Sequence, residues 1–215
     1  METKLLIGGV ILSYLLGSIP SAVWIGKMMF GIDVREHGSG NAGASNTFRV
    51  LGKKAGFFVL LIDFFKGLAS TGLMFLQYDV IVHTTEFRNY QMLLGLVAVL
   101  GHVYPIFAGF KGGKGIATLL GAVVGISWYV ALLAAIVFIL SVWITKHISV
   151  GSMLGCILSP LFVRLIYGPN EMIFIYFCTL VAFLVVYTHR SNIKRLREGT
   201  EAKFSFSRKP EIQSN

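Results

Sequence analysis

The stretch that decides the fold is residues 116–144, which read IATLLGAVVGISWYVALLAAIVFILSVWI. These 29 residues contain no charged side chain. One helix of that length would be about 43 Å long at about 1.5 Å per residue. The hydrocarbon core of a bilayer is about 30 Å thick, so a single span would need a strong tilt. The run is therefore either one long tilted span or two shorter helices that meet near residues 125–128.

The rest of the chain has the same apolar character. Of its 215 residues, 55% are hydrophobic and 13% are charged, whereas a soluble domain has about twice that charged fraction. The sequence predicts an all-α polytopic membrane protein that forms a single integral-membrane domain over residues 1–215. The first run, broken by the GSIPS segment at 17–21, is expected to be retained as a helix rather than removed as a signal peptide. Outside the central stretch, the apolar runs are residues 5–30, 55–77, 91–110, 147–164 and 172–187.

The distribution of basic residues favours two helices within residues 116–144. With two helices there, the basic segments 35–54, 111–146 and the tail from about 189 all share one side of the membrane, and that side holds 14 lysines and arginines. Positive charge concentrates on the cytoplasmic side of membrane proteins. We therefore expect seven transmembrane helices, with the N-terminus outside and the C-terminus cytoplasmic. The net charge of +9 is accounted for by these segments and does not indicate nucleic-acid binding.

A glycine-rich stretch directly precedes the central run. Residues 101–115 read GHVYPIFAGFKGGKG. Consecutive glycine amides can form a concavity for an anion, and lysines add full charges, so the stretch is compatible with a phosphate site. It is not a Walker A loop, because glycine follows the second lysine where that motif has Ser or Thr. The alternative is a glycine-rich turn with lysines that extend to the interface. The candidate ligands are His102, Lys111, Gly112, Gly113, Lys114 and Gly115.

The polar loop over residues 31–54 contains a second set of candidates. Its GSGNAG segment matches GxGxxG, but no βαβ unit surrounds it and no acidic residue follows at the required distance, so a dinucleotide site is disfavoured. Hydroxyl, amide and guanidinium groups here could instead hold phosphate. The alternative is an ordinary Asn/Gly/Ser turn between helices. The candidates are Gly38, Ser39, Gly40, Asn41, Gly43, Asn46 and Arg49.

Two further groups of polar residues lie within or beside apolar runs. Asp63 and Lys66, three residues apart, are expected to form an ion pair on one helix face, with a structural role favoured. His189 and Asn192, also three residues apart, are expected on a helix that continues from the last span, so that both point into one site. The alternative for this tail is a basic helix that binds lipid headgroups.

Three motifs together closely resemble those of the bacterial acyl-phosphate-dependent glycerol-3-phosphate acyltransferases of the PlsY type. They are GSGNAGASNTFR at 38–49, GHVYPIFAGFKGGKG at 101–115 and HRSNIKRLREGTE at 189–201. The segments GSIPSA at 17–22 and DFFKG at 63–67 are also similar to that family. Ser45 stands where threonine is expected in many members, and the hydroxyl group is retained.

The resemblance implies acyl transfer from acyl phosphate to the 1-hydroxyl of sn-glycerol 3-phosphate, which yields lysophosphatidic acid and phosphate, the first committed step of phospholipid synthesis. It also implies a seven-span enzyme of the bacterial inner membrane with a site that faces the cytoplasm. On this interpretation Ser39, Arg49, His189 and Asn192 are catalytic, and the other candidates from both loops bind substrate.

Neither a cofactor nor a metal ion is expected, so charge neutralisation falls to cationic side chains and backbone N–H groups. Because acyl phosphate is already activated, we expect direct attack by the glycerol hydroxyl and no acyl-enzyme. The expected partners are the two substrates and the lipid bilayer. The oligomeric state stays open, and a monomer is compatible with the sequence. A membrane transporter for a phosphorylated solute is the alternative function. It predicts inverted repeats and broken helices that meet at mid-membrane, whereas this sequence has no evident repeat.

Overall fold

The structure is a computed structural model that describes residues 3–76 and 84–204, with side chains from residue 6 onward. All regular secondary structure within these ranges is helical. The chain divides into two compact units. Among the described residues, the first unit comprises 3–76 and 84–126, and the second comprises 127–204.

The first unit contains six of the α-helices. Helix α4 packs against α6, α5 and α1, and α5 also packs against α1 and α6. The GSIPS segment separates α1 from α2, as predicted, because Pro20 has no backbone N–H to donate to a continuing helix. The helices are α1 Thr3–Gly17, α2 Ser21–Phe30, α3 Ala44–Val50, α4 Lys53–Gly72, α5 Thr85–Val103 and α6 Ile116–Ile126.

Helices α4 and α6 approach each other closely because both have glycine at the contact. A β-carbon on Gly67 would overlap the carbonyl oxygen of Thr118, and one on Gly121 would overlap that of Phe64. Small residues allow such backbone-to-backbone contact between membrane helices. This contact places the segment of α4 that carries the DFFKG sequence directly against α6.

The second unit contains the remaining four α-helices. Helix α8 packs against both α7 and α9. The Tyr167 hydroxyl at the end of α8 donates a hydrogen bond of 2.8 Å to the Ser127 hydroxyl oxygen at the start of α7. The helices are α7 Trp128–Thr145, α8 Ile148–Tyr167, α9 Met172–Thr188 and α10 Arg190–Arg197.

The central apolar run consists of two helices, as one of the two predicted alternatives requires. Helix α6 ends at Ile126 and α7 begins at Trp128. Ser127 between them has an extended backbone, with φ −159° and ψ 101°, and its hydroxyl oxygen accepts a hydrogen bond from Val130 N. The hydroxyl thus caps α7, so a helix start inside the apolar run is satisfied without a charged residue.

Five described helical segments are long and apolar enough to cross a membrane, or six if the bent pair of α9 and α10 counts as one span. Helix α6 is apolar but shorter. Large apolar side chains of α7 such as Trp143 and Ile144, each 71% exposed, are suited to contact with lipid. The structure is therefore that of an all-helical protein with several candidate spans. The count of seven spans, the sidedness and the single domain stay predictions.

Some predicted boundaries were wrong. The run predicted over 91–110 begins earlier, because Thr84 caps α5 through a side-chain hydrogen bond from Phe87 N, so 85–90 are helical. Part of the expected loop 78–90 lies outside the described residues. The polar loop over 31–54 contains helix α3 and a short 3-10 helix, Val34–Glu36. Finally, the tail does not continue straight from α9, since α10 is bent by 58° relative to it.

Candidate functional site

The first loop, residues 31–43, is tied to the glycine loop, residues 104–115, by one arginine. Arg35 binds the Asp33 carboxylate through Nε at 2.9 Å and Nη2 at 2.7 Å, and Lys27 Nζ lies 3.4 Å from the same carboxylate. The Nη1 group of Arg35 donates to the carbonyl oxygens of Ala108 at 2.9 Å and Lys111 at 3.3 Å. The two loops proposed to hold phosphate therefore lie side by side in the first unit.

The charged forms of both Asp33 and Arg35 are strongly favoured in this link. Hydrogen bonds from Arg35 lower the pKa of Asp33 from its ordinary value of 3.8 to about 2, against a smaller opposing effect of burial. The same carboxylate raises the pKa of Arg35. Both groups are therefore ionised throughout the physiological pH range.

Ser39 is held by the side chain of Asn46. The backbone N–H and the hydroxyl of Ser39 both donate to Asn46 Oδ1, at 2.8 and 3.0 Å. The Nδ2 group of Asn46 donates to the carbonyl oxygens of Val34 at 2.8 Å and His37 at 3.1 Å. Asn46 is buried, whereas Ser39 is exposed. The Asn46 amide is therefore used to shape the loop, and it presents Ser39 at the surface.

The sequence suggested that backbone N–H groups of the glycine loop form an anion site, but two of them are engaged within the protein. The Gly112 amide donates to Val103 O and the Gly113 amide to His102 O, each at 3.2 Å. These two N–H groups are directed at the end of α5 rather than toward a ligand. Glycine is required at 113 for a different reason: a β-carbon there would overlap His102 Nε2 and lie 2.8 Å from Ala42 O. Gly113 therefore keeps space clear between the two loops.

A buried ionic cluster lies beneath the two loops. Lys66 Nζ lies 2.9 Å from Asp63 Oδ1 and donates to Ile19 O at 3.0 Å. Ser21 Oγ donates to the same Asp63 oxygen at 2.7 Å. The side chains of Asp63 and Lys66 are 1% and 3% exposed. The predicted ion pair is confirmed, and the pair also satisfies a backbone carbonyl released by the helix break at Pro20.

His102 extends this cluster toward the loops. Its Nδ1 lies 3.5 Å from Asp63 Oδ1 and 3.3 Å from Thr118 Oγ1. A carboxylate only accepts hydrogen bonds, so this environment favours the tautomer with the proton on Nδ1. The Nε2 atom then has a free lone pair on the side of the ring that faces Gly113.

A small cavity of about 10 Å³ lies at this point in the first unit, which is room for about one water molecule. It lies where the helix break, the first loop and the glycine loop meet the buried cluster. Polar residues of the cluster therefore line this small cavity. Its lining includes Ser21, Ala42, Lys66, His102, Gly112 and Gly113.

In the second unit, one member of the predicted tail pair, Asn192, binds a carboxylate. Glu201 Oε1 accepts from Asn192 Nδ2 at 2.6 Å and from Ser149 Oγ at 2.9 Å. Its Oε2 accepts from Arg195 Nε at 2.7 Å. Burial raises the pKa of Glu201, but these hydrogen bonds lower it by more, so the net shift is downward. Glu201 thus fixes the orientation of Asn192.

His189 occupies the bend between α9 and α10. Its Nδ1 lies 2.8 Å from Val185 O, and a carbonyl oxygen only accepts hydrogen bonds, so Nδ1 carries a proton. His189 and Asn192 are both buried, at 2% and 6% exposure. Because of the bend, His189 and Asn192 do not lie on a helix that continues straight from α9, which was the prediction.

Comparisons with known proteins agree with this arrangement of motifs. The sequence model of the family described as glycerol-3-phosphate acyltransferase matches residues 7–199. The chain belongs to the glycerol-3-phosphate acyltransferase family. It is 45% identical over 199 residues to a glycerol-3-phosphate acyltransferase of Bacillus cytotoxicus, covering 93% of this chain and 95% of the relative. It is 43% identical over 198 residues to one of Streptococcus pneumoniae, covering 89% of each chain.

Solved structures are similar along almost the whole length of this acyltransferase. A crystal structure of PlsY, an integral membrane glycerol 3-phosphate acyltransferase, in its glycerol 3-phosphate form is 36% identical, with a TM-score of 0.80, and covers 93% of this chain and 96% of its own. A lysophosphatidic acid form is 35% identical, with a TM-score of 0.78, and covers 94% and 96%. The resemblance inferred from the three motifs is confirmed.

The predicted site residues of the acyltransferase fall into three groups. Ser39 is exposed between Gly38 and Gly40, which have φ angles of +60° and +71°. The partly buried group is Asn41, Gly43, Arg49, Gly112 and Lys114, whereas Lys111 is exposed. The buried group is Asn46, His102, Gly113, Gly115, His189 and Asn192.

Sequence reasoning missed Ser21, Arg35, Thr118 and Glu201. Two of them stand within quoted motifs, Ser21 in GSIPSA and Glu201 at the end of the tail motif, so their positions were visible but their partners were not. Arg35 had a local signal, because an acidic residue stands two positions before it. Thr118 had none, since it lies in an apolar run and acts only through helix packing.

Proposed function

We propose that this membrane glycerol-3-phosphate acyltransferase takes its acyl group from an acyl phosphate and transfers it to the 1-hydroxyl of sn-glycerol 3-phosphate. The products are lysophosphatidic acid and inorganic phosphate. The observation that supports this most is the Arg35 link, which holds two loops with candidate phosphate-binding residues side by side in one unit. Two phosphate-bearing substrates require two anion sites, and acyl phosphate supplies an activated carbonyl without a cofactor.

Cationic side chains of α3 and of the glycine loop are proposed to bind the phosphate groups. Arg49 can hold one phosphate through two parallel hydrogen bonds, and Lys111 and Lys114 add point charges. The amides of Gly112 and Gly113 are engaged by carbonyl oxygens. We therefore assign phosphate binding in the glycine loop to its lysines, and to Gly112 and Gly113 the shaping of the loop that presents them.

Ser39 is proposed to stabilise the charge that develops during transfer. When the hydroxyl attacks, negative charge grows on the carbonyl oxygen and on the departing phosphate, and donors held in place in advance lower the barrier. The Ser39 hydroxyl donates to Asn46 in the structure and would turn to donate to substrate. Asn46 is therefore a positioning residue that acts through Ser39.

The transfer is proposed to be direct. The glycerol oxygen forms a bond to the carbonyl carbon, the bond from that carbon to the phosphate oxygen breaks, and phosphate leaves with the electron pair. His189 Nε2 is proposed to accept the hydroxyl proton, because its Nδ1 proton is directed to Val185 O. Asn192, held by Glu201, is proposed to orient the glycerol moiety.

The central test uses the purified full-length protein with palmitoyl phosphate and glycerol 3-phosphate. Phosphate release should require both substrates, and lysophosphatidic acid should form in equal amount. Phosphate release without the acceptor, or equal activity with an acyl-coenzyme A donor, would contradict the proposal. Incubation with labelled acyl phosphate alone should leave the protein unlabelled, and a stable acyl group on Ser39 would overturn direct transfer.

We also propose that the enzyme spans the bacterial inner membrane seven times, with its N-terminus outside and its site facing the cytoplasm. The support is the concentration of 14 basic residues in three segments and the division of the central run into two helices. Single cysteines at positions 53, 146 and 203 should all be protected from an impermeant thiol reagent in intact cells. Labelling of position 146 from outside, while 53 and 203 stay protected, would contradict this topology.

A further inference from the structure

The short helix α10 has two faces with different chemistry. Arg190, Lys194 and Arg197 recur at positions i, i+4 and i+7, so they share one face of the helix, and all three are exposed. The opposite face carries Asn192, which is buried and binds Glu201. One face of α10 therefore belongs to the candidate site, whereas the other, the basic face, presents three cations to the surroundings.

The charges of the basic face are only weakly compensated within the part of the chain that the structure describes. Lys194 Nζ lies 3.9 Å from Glu198 Oε1, and the two side chains are 77% and 50% exposed, so this pair is weak. Arg190 donates one hydrogen bond, to Tyr187 O at 3.3 Å, and Arg197 makes no ion pair with the described residues. Interaction with the helix dipole accounts for Lys194 and Arg197 in the last turn, but not for Arg190 at the first position. Most of the charge on this face is therefore available to a partner.

The adjoining end of α9 has the composition of a membrane interface. Tyr187 is 55% exposed, and tyrosine is enriched at the level of the lipid headgroups. Phe183, one turn earlier, is 72% exposed and is suited to contact with lipid. The Arg190 guanidinium lies 4.7 Å from the centre of the Tyr187 ring, a favourable cation–π distance. The chain then bends by 58° between α9 and α10, so the basic face begins directly beside the aromatic end of the last apolar helix.

From this geometry we propose that the basic face of α10 binds the headgroups of anionic phospholipids, and that this contact holds α10 in the position that presents Asn192. The three cations select an anionic partner, and the adjoining aromatic side chains select a lipid surface. His189 directly precedes α10 and Asn192 lies within it, so the orientation of this helix determines the position of both. The effect on activity rests on the proposed function, whereas headgroup binding does not.

Headgroup binding can be measured without an enzymatic assay. The full-length protein would carry Tyr187→Trp together with Trp24→Phe, Trp128→Phe and Trp143→Phe, so that its single tryptophan lies beside Arg190, and would be reconstituted into phosphatidylcholine vesicles. Equal small fractions of phosphatidylglycerol or phosphatidylcholine with brominated acyl chains would be added to separate samples. Quenching of fluorescence should be about twice as strong with the brominated phosphatidylglycerol, because the cations enrich anionic lipid around them, and high salt should remove the difference. Equal quenching by the two lipids at low salt would refute the binding surface.

Matched variants of this reporter protein assign the effect to α10. Lys194→Gln combined with Arg197→Gln removes two charges from the basic face and should remove most of the preference for phosphatidylglycerol. Lys53→Gln combined with Lys54→Gln removes two exposed charges at the start of α4 and should leave the preference unchanged. Lys194→Arg combined with Arg197→Lys keeps both charges and should retain the preference, which separates charge from helix packing. A preference that is lost in the α4 variant but retained in the α10 variant would overturn the proposal.

A second measurement tests whether headgroup binding supports the site. In wild type, the kcat for lysophosphatidic acid formation should be about 3-fold higher in vesicles that contain phosphatidylglycerol than in phosphatidylcholine alone, because α10 is held in place. In Lys194→Gln combined with Arg197→Gln, kcat should be the same in both lipids. The comparison uses kcat because an anionic surface repels glycerol 3-phosphate and so raises its KM.

A wild-type kcat that is independent of phosphatidylglycerol, in a protein whose quenching shows headgroup binding, would refute the coupling of α10 to the site. Absence of any transfer to glycerol 3-phosphate in every lipid would instead refute the proposed function.

Discussion

The two glycine-containing loops of the first unit are similar in composition but differ in what their residues do. The first loop is held by Asn46, a buried residue on α3, and Ser39 of the loop is exposed. In the glycine loop, the N–H groups of Gly112 and Gly113 donate to backbone carbonyl oxygens. Gly113 is required because His102 and Ala42 leave no room for a side chain. The difference teaches that glycine-rich sequence alone does not identify a backbone anion site. The first loop should act through its side chains, whereas the glycines of the second loop should act by shaping the loop that presents its lysines.

The largest effect is expected from removing the exposed Ser39 hydroxyl of the first loop. Ser39→Ala should lower kcat by about 10²–10³-fold with little change in KM, because an interaction specific to the transition state is lost. Steady-state kinetics with both substrates would measure this. Ser45→Ala, an exposed hydroxyl on α3, is the matched control and should retain activity. A Ser39→Ala enzyme that changes only in KM would place Ser39 in ground-state binding.

The next effect tests the shape of the glycine loop. Gly113→Ala should raise the KM for glycerol 3-phosphate by about 10-fold, and more than the KM for acyl phosphate, because the methyl group displaces His102 and narrows the small cavity beside it. Gly72→Ala, where a β-carbon meets nothing within 4 Å, is the control. Equal increases in both KM values would show that the loop is not dedicated to the acceptor.

A smaller effect is expected from weakening the link between the loops. Arg35→Lys keeps the charge but loses the planar set of donors that binds Asp33, Ala108 and Lys111 together. The KM values for both substrates should rise by about 3- to 10-fold, since both loops lose their relative position. Lys54→Arg, an exposed swap at the start of α4, should have no effect. A change confined to one substrate would mean that only one loop depends on the link.

The smallest effect concerns acid stability. The pKa of Asp33 is lowered to about 2 in the folded protein, so its contribution to stability is complete above its ordinary value of 3.8 and is lost as the pH falls toward about 2. The thermal midpoint of Asp33→Asn should be below that of wild type at pH 6. The difference should shrink between about pH 4 and pH 2. The exposed residue Glu36 provides the control variant Glu36→Gln. If the difference in thermal midpoint between wild type and Asp33→Asn stays constant on acidification, the lowered pKa of Asp33 is contradicted.

Sequence reasoning predicted the helices better than their ends. Runs with few charges identified the apolar helices because burial in lipid disfavours charged groups. The breaks near 17–21 and at 125–128 were also visible, from Pro20 in the first case and from excess length in the second. The start of α5 was missed because Thr85–Tyr90 is polar, and the cap by Thr84 outweighs composition there.

The candidate site divides in the same way. Residue types alone pointed to Ser39, Arg49, the lysines of the glycine loop, His189 and Asn192, because phosphate and acyl-transfer chemistry need donors and cations. The use of Gly112 and Gly113 amides could not be predicted, since their acceptors depend on how α5 ends. The role of Asn46 could not be predicted either. The sequence does not distinguish an asparagine that is buried and holds a loop from one that binds a ligand.

By itself, the sequence determined that this protein is a helical membrane protein with three polar motifs, and those motifs identified its family. Local composition is enough for that, since each run or motif is contiguous. Only the tertiary structure decided that Asp63 faces His102, 39 residues later, and that Arg35 joins loops more than 70 residues apart. The physical reason is helix packing. The close contact of α4 with α6 through Gly67 and Gly121 sets which side chains meet, and no single stretch of sequence contains that information.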